Sequence, residues 1–287
     1  MDVKFLIWNL KYGFGDEEHS SSRVQKERID LAKNLVSYVS PNIFVAVEAN
    51  NWDLRRYDKL FGFPYESHTS WEGHTGDNWG SAILSQLPIT SSEQLLFDDG
   101  LNYEKDEQRR KYIRAIIPIN GVTLTLDAIH PHPYTFTDAV LTTLETIVKT
   151  ANPPHVIAGD LNWISKKDVG IYTPEERAFA EYFSTRPLAR IYGKSPRDSG
   201  RIVAKKLLEA KETNLLIELG MKDAFEGFEH SPTVPTKLAN NSSKSNVKLD
   251  HAFVSANIQV IDAKVLKDTQ ESEYASDHRP ILVILRF

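Results

Sequence analysis

The chain has 287 residues, no cysteine and a formal net charge of −5. Without cysteine there are no disulfides, thiolate metal sites or cysteine nucleophiles, and the net acidity excludes a protein that coats nucleic acid through a uniformly basic surface. No apolar run approaches the roughly 18 residues that cross a bilayer, and Met1-Asp2-Val3-Lys4-Phe5 enters a strand pattern directly, so a cytoplasmic monomer is expected.

Residues 3–9 read as a strand ending in Asn9. Over 22–40 the apolar residues Val24, Ile29, Leu31, Leu35, Val36 and Val39 recur nearer to every 3.6 residues than every 2, which predicts a helix stopped at Pro41-Asn42. Residues 43–47 are apolar at every position, as in a strand covered on both faces, and deliver Glu48 at its carboxyl end. The aromatic stretch 49–79 reads as connecting structure around one short strand. Another strand follows at 80–85, closed by Leu87-Pro88-Ile89, and 94–108 is acidic and loop-like. Residues 111–119 and 122–129 form a hairpin through Asn120-Gly121, which leads into His130-Pro131-His132-Pro133.

A helix is predicted over 137–150. Val156-Ile157-Ala158 is a buried strand that stops at Gly159, followed by Asp160 and Asn162. Helices are expected at 174–186 and 203–219, with a Gly, Ser and Pro-rich loop over 193–200. Residues 228–247 are poor in apolar content and predict an exposed, mobile loop. Strands at 249–254 and 280–285 close the chain, the last preceded by Ser276-Asp277-His278-Arg279. No internal repeat or linker divides the sequence, so one domain over 1–287 is expected.

Asn9, Glu48, His130, Asp160, Asn162, Asp250, Asp277 and His278 all fall at ends of predicted buried strands. If those ends converge, the carboxylates repel one another strongly unless a cation joins them. A ligand set dominated by oxygen favours Mg²⁺, Mn²⁺ or Ca²⁺ over Zn²⁺, and the imidazoles suit proton transfer or hydrogen bonding to a charged oxygen. Together these groups describe metal-assisted attack of water on a phosphate ester. The rivals are a zinc hydrolase built on His130, His132 and Asp160, and a binding protein without catalysis.

Strand-Trp8-Asn9, strand-Glu48, Gly80-Ser81-Ala82-Ile83-Leu84-Ser85 with Leu87-Pro88-Ile89, Ala128-Ile129-His130-Pro131, Gly159-Asp160-Leu161-Asn162, Leu249-Asp250-His251-Ala252-Phe253-Val254 and Ser276-Asp277-His278-Arg279-Pro280 resemble the endonuclease/exonuclease/phosphatase superfamily. The seven motifs stand in that family's order and span nearly the whole chain. Leu219-Gly220-Met221-Lys222-Asp223-Ala224-Phe225 also resembles a segment of the exonuclease III branch. Two departures refine the resemblance. Many members carry Gln before the metal-binding Glu, where this chain has Val47, and Ala128-Ile129-His130-Pro131 resembles the branch of deoxyribonuclease I, sphingomyelinases and tyrosyl-DNA phosphodiesterase 2 more than the abasic endonucleases.

The resemblance implies a four-layered α/β/β/α sandwich, two mixed sheets face to face with helices outside. It implies Mg²⁺, or Mn²⁺ in its place, with Glu48 as principal ligand helped by Asn9 and Asp277. Asp160 and Asn162 would position or deprotonate water and contact the phosphate, and His278, oriented by Asp250, would stabilise its charge. His130 would be a second phosphate contact or a general acid. Further substrate contacts are sought in Trp79, for stacking, and in Arg114 of the cluster Arg109, Arg110, Lys111 and Arg114, of which at most half face the site. The expected activity is that of a nuclease, endonuclease or exonuclease, acting on DNA or another nucleic acid. The alternatives are a phosphatase or phosphodiesterase for small phosphate esters, such as inositol phosphates, or for lipid head groups, although no run of exposed apolar residues serves a lipid.

Overall fold

The computed structural model describes residues 1–15, 25–50, 56–69, 71–72, 78–103, 108–133, 135–184, 194–239 and 246–287. In chain order the strands are β1 (Asp2–Asn9), β2 (Ile43–Val47), β3 (Tyr65–His68), β4 (Trp71–Glu72), β5 (Asn78–Trp79), β6 (Ala82–Ser85) and β7 (Ser91–Leu96). They continue as β8 (Lys111–Ile119), β9 (Val122–Ala128), β10 (His155–Asp160), β11 (Met221–Asp223), β12 (Asp250–Ser255), β13 (Gln259–Val265) and β14 (Ile281–Arg286). The helices are α1 (Lys26–Val39), α2 (Tyr57–Phe61), α3 (Asp138–Thr150), α4 (Val169–Tyr172), α5 (Glu176–Ser184), α6 (Pro196–Glu209), α7 (Lys211–Glu218) and α8 (Gln270–Tyr274).

Alternation along the strands sorts the layers. In β1, Val3, Phe5 and Ile7 face the core between the sheets, while Leu6 and Trp8 pack outward with Ile29, Ala32, Leu35 and Val36 of α1. In the other sheet, Val156 and Ala158 of β10 face the same inner core, and Ile157 packs outward with Val140, Leu144 and Ile147 of α3 and Leu216 of α7. Helix, sheet, sheet and helix therefore stack in four layers, the sandwich that the motifs imply.

One sheet runs β13-β14-β1-β2-β6-β3 and the other β11-β12-β10-β9-β8-β7. Both repeat one order of pairings. The central pair, β1 with β2 or β10 with β9, is parallel, and the two pairs on either side are antiparallel. In each sheet the parallel pair ends where an antiparallel neighbour, β14 or β12, begins. That arrangement gathers six chain ends at one end of the sandwich.

Several elements differ from the sequence expectation. Residues 193–200 are not all loop, because Pro196 opens α6 with the Ser195 hydroxyl accepting from Asp198 N, a standard helix start. The single helix expected over 203–219 is two, parted at Ala210, whose φ is 49°. The edge strand β7 runs over residues 91–96, into the start of the stretch 94–108 that reads as acidic loop, and 49–79 hold α2, β3 and the β4–β5 ribbon. The described part of 228–247 is tied down: Ser231, Thr233 and Thr236 are buried and Val234 bridges Val247. No helix among the described residues is long and apolar enough to cross a membrane.

Candidate active site

Asn9 ends β1, Glu48 follows β2, His130 follows β9 and Asp160 ends β10. Their meeting point is one oxygen, Asp160 Oδ2. It accepts from Asn9 Nδ2 at 3.0 Å and lies 3.8 Å from His130 Nε2 and 3.7 Å from His278 Nε2. Asn9 Nδ2 also donates to Glu48 Oε1 at 3.0 Å, and His130 Nε2 is 3.9 Å from that same oxygen. On the far side His278 Nδ1 sits 2.8 Å from Asp250 Oδ2. Asn9, His130, Asp160 and Asp250 are all buried.

Burial and neighbouring charge give the groups different protonation states. Burial pushes the Asp160 pKa up to about 7, helped by the charges of Asp250 and Glu48 and opposed by His278 and Asn9. Glu48 is likewise raised, by burial first and then by the charge of Asp277. His130 is held well below the usual imidazole range by burial and the Arg110 charge, so it is neutral. Burial acts the same way on His278, but the charges of Asp250 and Asp160 and the hydrogen bond to Asp250 outweigh it and raise its pKa well above the ordinary value. The result is a neutral imidazole and an imidazolium on two sides of one carboxylate.

A short left-handed stretch supports the Glu48 side. Lys11, Tyr12, Gly13 and Phe14 all have positive φ, between 49° and 68°. Non-glycine residues pay roughly 1–2 kcal/mol each for that conformation. The buried guanidinium of Arg28 holds the turn, donating to the carbonyls of Gly15, Leu10, Lys11 and, across to α8, Ala275. What the turn delivers is Tyr12 N, which donates to Glu48 Oε2 at 2.9 Å, and the Tyr12 ring, edge-on to Trp79 with centroids 5.2 Å apart. Glu48 and Asn162 are themselves left-handed, with φ of 52° and 54°. No local sequence pattern marks Arg28, because its partners lie up to 247 residues away.

Most predicted residues come together, with corrections. Arg114 is not a substrate contact: it lies on the outer face of β8, forks onto Asp127 at 2.8 Å through two nitrogens, and also binds Thr150 and Ile147 at the end of α3. The member of that cluster that reaches the site is Arg110, buried, donating to His130 O at 2.9 Å and Pro131 O at 3.2 Å, with Cζ 6.0 Å from the Trp79 ring centre. Trp79 is half-buried between the Tyr12 ring and the Arg110 guanidinium. Asn9 donates from its amide nitrogen to the two carboxylates, which spaces Glu48 from Asp160, and its oxygen accepts from Lys11 N at 2.9 Å. Asn162 donates from its amide to Pro131 O, and its backbone N–H caps Asp160 Oδ1 at 3.1 Å. Asp277 lies 3.8 Å from Lys11 Nζ and is partly open to solvent.

The donor set fits a hard divalent cation. Asp250 Oδ1 is buried without a hydrogen-bond partner, and the Asp277 charge adds to the cost of ionising Glu48, a conflict that a cation removes. Among the described residues, Asp160, Asp250 and His278 also bring ligand atoms within 4.8 Å of one another, a group that could hold a metal once His278 gives up its extra proton, since the imidazolium has no free lone pair. His132, needed for the zinc alternative, is not in that group.

The model of the endonuclease/exonuclease/phosphatase family matches residues 6–278. The chain belongs to that family. Members are phosphate-ester hydrolases that depend on divalent metal, which supports phosphoesterase activity here. Among solved structures, a family protein from Leptotrichia buccalis C-1013-b is 17% identical, covering 99% of this chain and 100% of its own, with a TM-score of 0.68. A mannosyl-6-phosphatase from Bacteroides thetaiotaomicron VPI-5482 is 14% identical over 99% and 100% of the two chains, TM-score 0.63. D. rerio TDP2, in complex with a single-strand DNA product, is 14% identical over 100% and 99%, TM-score 0.60. At such identities these likenesses bear on the fold. No curated protein matches the sequence.

Proposed function

We propose that this family member is a Mg²⁺-dependent phosphodiesterase acting on DNA or another nucleic acid. The observation that carries the chemistry is Asp160 Oδ2, held by Asn9 between the neutral imidazole of His130 and the imidazolium of His278. A water bound beside that oxygen gives its proton to Asp160 while its oxygen bonds to phosphorus. The bond to the departing alcohol breaks, that oxygen takes a proton from solvent, and Asp160 returns the proton it accepted to solvent, so one water is consumed per ester cleaved. His278 faces the charge that grows on the phosphoryl oxygens, Asp250 holds its ring, and His130 contacts the same phosphate. Glu48 and Asp277 would hold the cation, which supplies charge neutralisation and polarises the phosphate.

The substrate class rests on the wall beside Glu48. Tyr12 and Trp79 form an aromatic pair, and Arg110 stands over Trp79. An aromatic face that stacks a base contributes about 1–3 kcal/mol, whatever the base. A second reading, a small phosphate ester such as a sugar or inositol phosphate, is favoured by the net charge of −5, which repels a long polyanion. Trp79→Ala separates the two. Tested with Mg²⁺ on a short oligonucleotide and on bis(p-nitrophenyl) phosphate, it should raise KM for the oligonucleotide about tenfold or more and leave the small diester unaffected. Equal KM for the oligonucleotide in parent and variant removes the stacking claim.

A further inference from the structure

The hydrogen bond between His278 and Asp250 joins two different sheets. His278 leads into β14 of one and Asp250 opens β12 of the other. Each is secured inside its own sheet. Trp8 Nε1 donates to His278 O at 2.8 Å and Ser276 Oγ to Asn9 O at 2.6 Å; Leu161 N donates to Leu249 O at 2.9 Å. Between the sheets lies an apolar core, whose attraction has no direction and does not fix how far one sheet slides along the other. Asn9 Nδ2 to Asp160 Oδ2 is one directional tie across that gap, and the 2.8 Å pair needs a second at its own backbones.

We propose that Thr233 is that tie, a positioning residue that sets the Asp250–His278 pair. Its Oγ1 accepts from Leu249 N at 3.0 Å and from Asp250 N at 3.4 Å, gripping the start of β12. Its carbonyl accepts from Arg279 N at 2.7 Å, gripping the lead-in to β14. One wholly buried residue thus holds the backbone of Asp250 and the backbone next to His278 at once. Thr236 repeats the grip on the second side, donating through N to Asp277 O and through Oγ1 to Ser276 O.

The segment that carries Thr233 is itself anchored. Thr233 N and Val234 N both donate to Val247 O at 3.0 Å, and Val247 N returns a bond to Val234 O at 2.9 Å. One residue earlier than Ser231, His230 meets Asp168 at 3.2 Å and Tyr172 at 2.9 Å, and Asp168 also binds the buried Lys248 at 3.1 Å. The strap is therefore fixed to β12's approach and to α4 before it reaches the site. Its chemical requirement is an oxygen acceptor at position 233, which valine lacks and serine keeps.

The catalytic consequence rests on the phosphoesterase reading; the geometric claim does not. The test follows Mg²⁺-dependent hydrolysis of bis(p-nitrophenyl) phosphate together with the low-field proton resonance of His278 Nδ1–H, assigned by its absence in His278→Ala. Thr233→Val should lower kcat about 10- to 100-fold, the cost of a misplaced catalytic pair, with KM changed less than about threefold, and should lose or shift the resonance. Thr233→Ser should keep both. If Thr233→Val does not fold, Thr233→Ala, which is smaller and also lacks the hydroxyl, takes its place. Parent-like kcat and resonance in the hydroxyl-free variant overturn the proposal, as does a loss in Thr233→Ser equal to that in Thr233→Val, which would assign the effect to the methyl group. If the parent itself turns over no phosphate ester, the phosphoesterase reading falls, while the resonance still decides whether Thr233 sets the pair.

Discussion

Asp160 occupies a position where one proton decides the chemistry. Its carboxyl oxygen lies within hydrogen-bonding or near-contact distance of an amide and two imidazoles, one neutral and one charged. Asp160→Asn keeps the shape and removes the proton acceptor, so turnover should fall about 10²–10³-fold or more with the melting temperature little changed. Parent-like turnover would remove Asp160 from the reaction. Glu48→Gln acts differently: it should shift the Mg²⁺ titration to higher concentration, and a titration curve that superimposes on the parent's excludes Glu48 as a ligand. At this scale the sequence showed which residue types gather, because acids and histidines at buried strand ends are unusual. It did not show which arginine reaches them. Arg110 and Arg114 have the same strand parity, but Arg114 turns outward onto Asp127, a partner 13 residues away, while Arg110 precedes the strand and turns to His130 O.

Among the elements, β10 is the one whose form follows most directly from its residues. Val156, Ile157 and Ala158 are buried on both faces, and Gly159 has a φ of 152°. A Cβ on Gly159 would lie 2.0 Å from Ile129 O, so only glycine lets β9's exit and β10 approach this closely. Gly159→Ala should cost on the order of 4 kcal/mol or more; a loss under 1 kcal/mol in denaturant unfolding would refute the close approach. Asn120-Gly121 was equally legible, with φ of 49° and 85° as a two-residue hairpin requires. The elements that escaped are edges. Strand β7 is Ser91–Leu96, exposed and polar, and β13 carries a register shift between Val260 and Asp262, so neither shows clean alternation. Helix α7 makes a separate prediction. Glu212, buried in its first turn, has its pKa pushed up by burial to about 7. A carboxyl whose folded pKa exceeds its unfolded value stabilises fully below the unfolded pKa near 4.5 and loses that contribution as pH rises to about 7. Glu212→Gln should therefore match the parent at pH 4 and exceed it by on the order of 3 kcal/mol at pH 8. Equal stability of the two at pH 8 would show that Glu212 is not buried as a charge.

On the scale of the molecule, two sheets with the same order of pairings face each other, and each contributes half the site. Asn9 with Glu48 comes from one sheet and Asp160 with His130 from the other. The motif order in the sequence implied the sandwich, but not the ties across it. Asn9 to Asp160 spans 151 residues and the Thr233 contacts span 16, 17 and 46, and no local pattern encodes such pairings. The claim that this shared end hydrolyses phosphodiesters is tested most directly with end-labelled single-stranded and duplex DNA. Parent protein and Asp160→Asn are each incubated with Mg²⁺ and, separately, with EDTA. The parent with Mg²⁺ should give shortened products, with none in EDTA or from Asp160→Asn. Intact DNA with Mg²⁺ or Mn²⁺, from protein shown by its melting curve to be folded, would contradict that claim; products that persist in EDTA would contradict the role given to the metal.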